Sequence, residues 1–232
     1  RVGKPWGPAL PAAFGMSNAP MVIGISGASR SGKSTVAQQL VEFLKGTATT
    51  FSQDQYEIGP VSISGMTTFD HPDCLDHAAI LARLEAETAQ YQVVIVEGHL
   101  LFHDPALLSR LQERVHLDIT AEEGKKRRCT KGPHNHNVGF LATAEYFEQA
   151  LRQWWASPDG YLQCCVDVLE PPPLRFNAND VEKIISGELA RQIFQAIHAG
   201  TVGTVPRHEL VVEPDDAAGT PGHESVEETD PA

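Results

Sequence analysis

Gly27-Ala28-Ser29-Arg30-Ser31-Gly32-Lys33-Ser34 follows the spacing GxxxxGK[ST] in full. Those residue types at that spacing suit a polyphosphate. Glycines let successive backbone N–H groups turn inward around phosphate oxygens, and a helix opening behind them adds its partial positive charge. Lys33 is then expected to reach the β- and γ-phosphates, and the Ser34 hydroxyl to ligate Mg²⁺, with Thr35 completing the stretch that meets the nucleotide. Average residue usage yields such a string by chance in roughly one chain per hundred. Here it follows an apolar run and precedes an amphipathic stretch, the setting that the mechanism requires.

The loop alone does not choose a reaction. There is no NKxD-type guanine-reading sequence, so the acceptor must be read from residues downstream. Asp54 follows the second β-prone segment, where a carboxylate can orient or deprotonate an acceptor hydroxyl; the bland alternative is a turn residue. Glu97 ends a Val-Val-Ile-Val run and is placed to hold Mg²⁺ or its water; a plain strand-end acid is the alternative. Lys125, Lys126, Arg127, Arg128 and Lys131 put five of the 18 basic residues within seven positions. A solvated helix face would look the same, but beside a polyphosphate site the cluster reads as a lid, with Arg127 among the residues expected to meet the nucleotide. Phe69-Asp70 offers an aromatic face for a base beside an acid for ribose hydroxyls, or else a loop with a core Phe. His134 and His136 lack the further ligands of a metal site.

The elements that must position these residues alternate. Met21–Ser26 is a buried-type strand, and Val36, Leu40, Phe43 and Leu44 are spaced as a helix that stops near Gly46. Thr47–Phe51 is β-prone, Leu75–Leu84 helical, and residues 93–96 a second buried strand. Asp104-Pro105 opens a helix, residues 115–118 form a strand, and Thr120-x-x-Glu123 is a capping box. Tyr146–Trp154 carries a helical stripe, and Cys164–Leu169 reads as a last strand before three prolines. Val181, Ile184, Ile185, Leu189, Ile193 and Ile197 predict one regular helix capped by Asp180. Such alternation predicts an α/β fold with a mostly parallel sheet covered on both faces.

The 232 residues, 41% hydrophobic and 21% charged, suffice for one cored domain and rule out wholesale disorder. The expected division is a flexible extension over 1–20, with Met16 or Met21 as candidate starts, a catalytic domain over 21–200, and an acidic disordered tail over 201–232. A net charge of −12 argues against nucleic acid as a partner, and no apolar run nears the ~20 residues of a membrane span. The four cysteines show no CxxC spacing, and we read them as free thiols of a cytoplasmic protein. Nothing in the sequence sets an oligomeric state.

Ile23–Thr35 (IGISGASRSGKST), Ser52-Gln53-Asp54, Phe69–Leu75 (FDHPDCL), Val96–Phe102 (VEGHLLF) and Lys125–Lys131 (KKRRCTK) together resemble the nicotinamide riboside kinases, grouped with the uridine/cytidine kinases among P-loop nucleoside kinases. The resemblance covers roughly residues 22–155. It implies a P-loop NTPase three-layer sandwich with a five-stranded parallel sheet, a lid and a nucleoside-binding flap, and transfer of the ATP γ-phosphoryl group to a riboside 5′-hydroxyl. By position it makes Asp54 the catalytic carboxylate, Lys33 and Ser34 the phosphate and Mg²⁺ contacts, and Glu97 a second acid near the metal. Asp70 would hold ribose hydroxyls, Phe69 would stack on the base, Arg128 would touch substrate and Lys131 would touch ATP. Pro133 stands where a second stacking tyrosine is expected, with His134 and Phe140 nearby, and Lys131 replaces an arginine. Base specificity is therefore less fixed than the chemistry. A uridine/cytidine kinase, another small-molecule P-loop kinase, and a nucleotide-binding regulator without transfer are the alternatives.

Overall fold

The computed structural model describes residues 19–63, 66–131 and 161–199. Strand β1 (Met21–Gly27) lies at the centre of a five-stranded sheet, with β2 (Ala48–Ser52), β5 (Val93–Gly98), β6 (Glu113–Asp118) and β7 (Leu174–Asn177) in the order β2-β5-β1-β6-β7. Every pairing in it is parallel. Continuous apolar runs form these strands because both faces are covered. Ile23, Ile25, Val93 and Ile95 face one core with Val36, Leu40, Leu189 and Ile193. Val22, Val94 and Val96 face the other with Ile80, Leu84 and Leu107. Each fully buried Ile or Leu contributes about 1.5–3 kcal/mol. The result is the expected α/β three-layer sandwich with a five-stranded parallel sheet.

Helices α1 (Lys33–Phe43), α5 (Val181–Ile185) and α6 (Glu188–His198) supply one outer layer. Helices α2 (His77–Thr88) and α3 (Pro105–Leu108) supply the other. α4 (Ala121–Lys131) follows β6. Local chemistry sets their ends. Asp76 caps α2 by accepting from Ala79 N at 2.9 Å, and Asp104 caps α3 from Ala106 N at 2.8 Å. Thr120 accepts from Glu123 N at 3.3 Å, the expected start of α4. α1 ends at Phe43, and Lys45 and Gly46 turn the chain with positive φ.

Two expectations are corrected. Cys164–Leu169 is not a strand: Leu162–Val166 is a π-helical turn, and the last strand, β7, comes after the prolines. The turn carries Tyr161 inward, where its hydroxyl accepts from Phe102 N at 2.8 Å and lies 3.3 Å from Ser26 Oγ. The edge position beside β6 goes instead to β7, tied by Arg175 to both oxygens of Asp118 and to Asp167. The helix expected over 181–197 is broken at Gly187, whose φ of 75° interrupts the helical path between α5 and α6. Both pieces still face the core through Ile184, Leu189, Ile193 and Ile197, which is why the periodicity reads through the break.

Between Asp54 and Phe69, where a flap is expected, β3 (Val61–Ile63) pairs antiparallel with β4 (Met66–Thr68). Tyr146–Trp154, Pro133, His134, His136, Phe140, both termini and Cys129's side chain lie outside the described residues; Cys74, Cys164 and Cys165 are free thiols, as expected. No helix among the described residues is long and apolar enough to cross a membrane.

Candidate functional site

Parallel strands deliver their following residues to one edge of the sheet. Glu97 pairs with both Ile25 of β1 and Ser52 of β2. The 27–34 loop, the turn after β2 and the segment after β5 therefore meet at one crevice.

The loop is shaped by its glycines. A Cβ at Gly27 would lie 2.7 Å from Ser31 Oγ and 2.9 Å from the Leu117 carbonyl. Gly32 has φ 97°, and Arg30, a non-glycine, is held at φ 70°, a costly conformation of the kind that gathers at ligand sites. Ser31 N donates to Ala28 O at 3.0 Å, and Lys33, 7% exposed, donates through Nζ to the same carbonyl at 3.1 Å. Ser34 Oγ donates to Glu97 Oε1 at 3.0 Å. Ser31 Oγ and Glu97 Oε2 are buried without a hydrogen-bond partner among the described residues. Orphaned oxygens at such a loop suit a ligand that supplies both donors and charge. Ser34 and Glu97 are hard oxygen donors side by side, the pair that Mg²⁺ accepts when phosphates and water complete its shell. No group of three or more His, Cys, Asp or Glu among the described residues forms a metal cage.

Across the crevice, Asp54 sits in a 3-10 turn (Gln53–Tyr56) whose cap is Ser52 Oγ accepting from Asp54 N at 3.2 Å. The buried Gln53 fixes that turn, since its Oε1 accepts from Leu100 N at 3.1 Å. Gly98 makes room for it: a Cβ there would lie 2.5 Å from the Gln53 Cβ. Asp70 follows β4, with its N–H donating to Thr68 Oγ1 at 3.0 Å. The Asp54 side chain is 55% exposed and that of Asp70 only 7%. Phe69, beside it, is partly exposed.

Between the two acids stands His99, which sequence reasoning did not single out. Its Nδ1 lies 3.3 Å from Asp54 Oδ1 and its Nε2 3.7 Å from Asp70 Oδ1. Burial by itself would push the imidazole below its ordinary value. The hydrogen bond and charge of Asp54, with the charge of Asp70, outweigh it and hold His99 above that value, although Lys33 opposes them. Glu57 joins the group: burial and then the charges of Asp54 and Asp70 raise its carboxyl, with His99 opposing. A signal for His99 did exist, because it follows Glu97 and Gly98 at the carboxyl end of a strand, the reasoning that selected Glu97.

The lid expectation needs one correction. Arg127, expected to face nucleotide phosphates, is 6% exposed. Its guanidinium donates to the carbonyls of Ala178 (2.9 Å), Asn179 (2.6 Å) and Arg30 (3.4 Å), and its Nε to Glu123 at 2.7 Å. A forked, permanently charged donor set suits several carbonyls converging on one point. Arg127 thus fastens α4 to the phosphate-type loop and to the turn after β7. Arg128 and Lys131 lie in the last turn of α4.

Comparison with known proteins follows the same lines. The chain is 29% identical over 136 residues to a uridine kinase of Chloroflexus aurantiacus, covering 46% of this chain and 65% of that protein, a little under two thirds of its length. It is 29% identical over 165 residues to a uridine kinase of Shewanella halifaxensis, covering 57% and 78%. A gluconokinase structure from Sinorhizobium meliloti aligns with a TM-score of 0.43 at 16% identity, over 80% of this chain and 99% of that one. No protein-family model matches. The chain is thus similar to uridine kinases over part of its length.

Proposed function

We propose that this protein is an ATP-dependent kinase that phosphorylates the 5′-hydroxyl of a riboside, with nicotinamide riboside as the foremost acceptor and nicotinamide mononucleotide as the product. The observation that carries the reading is the facing of two half-sites across one crevice: a glycine-shaped loop with Lys33, Ser34 and Glu97 on one side, and Asp54 with Asp70 on the other. Such an arrangement can hold a nucleotide tail and a polyol acceptor end to end.

In this reading Gly27–Thr35 wraps the phosphates with its amides, and Lys33 offsets charge on the transferring group. Ser34 and Glu97 would hold Mg²⁺, which supplies charge neutralisation between the β- and γ-phosphates when bound. The exposed carboxylate of Asp54 accepts a hydrogen bond from the acceptor hydroxyl, orients it and takes its proton as that oxygen bonds to the γ-phosphorus and the bond from the γ-phosphorus to the departing ADP oxygen breaks. Asp70 accepts from the ribose diol, Phe69 lies against the base, and Arg128 and Lys131 close from the lid. Similarity to uridine kinases supports a second reading, uridine or cytidine as acceptor, with the same chemistry.

ATP consumption measured against nicotinamide riboside, uridine and cytidine tests the proposal. Turnover is expected with at least one riboside, and Asp54→Asn should lower it by ~10²-fold or more while calorimetric ATP binding persists. ATP binding without turnover on any acceptor would favour a nucleotide-binding regulator instead.

A further inference from the structure

Two carboxylates that serve one small acceptor repel each other, and here they come from different segments, the turn after β2 and the loop after β4. What stands between them is a ring with a nitrogen at each side: His99 Nδ1 at 3.3 Å from Asp54 Oδ1, Nε2 at 3.7 Å from Asp70 Oδ1. The backbone on either side of the ring is fixed through Gln53, the residue before Asp54. Leu100 N donates to Gln53 Oε1, and the missing Cβ of Gly98 lets Gln53 lie against the strand end. His99 is 6% exposed, so the ring has little room to turn. It directly follows the end of β5.

We propose that His99 is a positioning residue for the acceptor, linking Asp54 and Asp70 so that both carboxylates are satisfied together by a skeleton carrying a primary hydroxyl and a vicinal diol. This rests on the kinase reading above. It differs from two independent contacts in one respect: whatever engages Asp70 also sets the aim of Asp54, through the imidazole. A rigid ring transmits such alignment, and misplacement of a reacting group by about an ångström can cost roughly 10²-fold in rate.

The test uses the full chain as wild type, His99→Phe, His99→Gln and Asp70→Asn, with a riboside acceptor and its 2′,3′-dideoxy analogue. In His99→Phe, kcat/KM for the riboside should fall about 10-fold or more and KM for ATP should hold. Its preference for the riboside over the dideoxy analogue should shrink by a similar factor. His99→Gln, which keeps a donor, should recover part of the loss. Asp70→Asn should slow the dideoxy analogue as well, although that acceptor has no diol for Asp70 to hold, and this arm does not depend on the folding of any His99 variant. An unchanged preference in His99→Phe, or a dideoxy rate untouched by Asp70→Asn, overturns the inference while leaving the kinase reading intact. Absence of wild-type turnover on every riboside removes the kinase reading and this inference with it.

Discussion

The two sides of the crevice are built in different ways. The side proposed for phosphate is eight consecutive residues, with glycines at Gly27 and Gly32 where a side chain would clash or strain. The side proposed for the acceptor is assembled from Asp54, Asp70 and His99, with 45 positions separating the hydrogen-bonded pair Asp54 and His99. A backbone site travels with its sequence string. A side-chain site exists only when the sheet brings its strand ends together.

Two buried histidines carry the same contrast. His116 on β6 lies behind the loop, paired in register with Ser26. Burial drives it from 6.5 to about 4; Asp118 opposes, while Arg175 and Lys33 reinforce the fall. His99, as deeply buried, is held up by two carboxylates. Burial lowers both; Asp54 and Asp70 together outweigh it at His99, whereas Asp118 does not outweigh it at His116.

Replacing Lys33 with Ala should have the largest effect, a loss of about 10³-fold in turnover, because its ammonium is the buried cation tied to the loop through the Ala28 carbonyl. If turnover survives, the loop works by amides alone and the contrast sharpens further. Next is acid stability. His116 stays neutral in the folded protein but takes a proton near its ordinary value when unfolded, so between about pH 6.5 and pH 4 the unfolded state binds more protons. This group's share of stability is present above that window and lost as pH falls through it, up to roughly 3 kcal/mol. Urea unfolding at pH 7 and pH 4.5 should show the loss, and His116→Leu should flatten that limb. His99 has the opposite sign: its contribution is complete below its ordinary value and is lost as pH rises through its raised one. The smallest effect is expected for Gly98→Ala, which pushes a methyl into Gln53 and should cost about 1–3 kcal/mol in urea unfolding. Acceptor KM should rise with it, because Gln53 holds the turn that carries Asp54. An unchanged KM would mean that Asp54 is positioned without Gln53.

Much of the framework was legible because its signals are local. Val93–Val96 and Met21–Ser26 are apolar on both faces, and Asp76, Asp104 and Thr120 cap the helices that follow them. The errors arose where a distant partner overrode a local pattern. Cys164–Leu169 has strand-like residues, but Tyr161 must reach Ser26 and Phe102, and the turn serves that anchor. Arg127 looked like one more lid cation, yet carbonyls from two other segments surround it.

The sequence by itself determined the alternation that makes a parallel sheet, and it pointed to the glycine-rich loop and to Asp54, Asp70 and Glu97 as candidates, because each is set by residue type, short spacing or place after a strand. Only the tertiary structure decided that His99 joins Asp54 to Asp70 and that Arg127 is a fastener. Those contacts depend on strand order and register, which arise from packing two apolar faces at once and which no local spacing encodes.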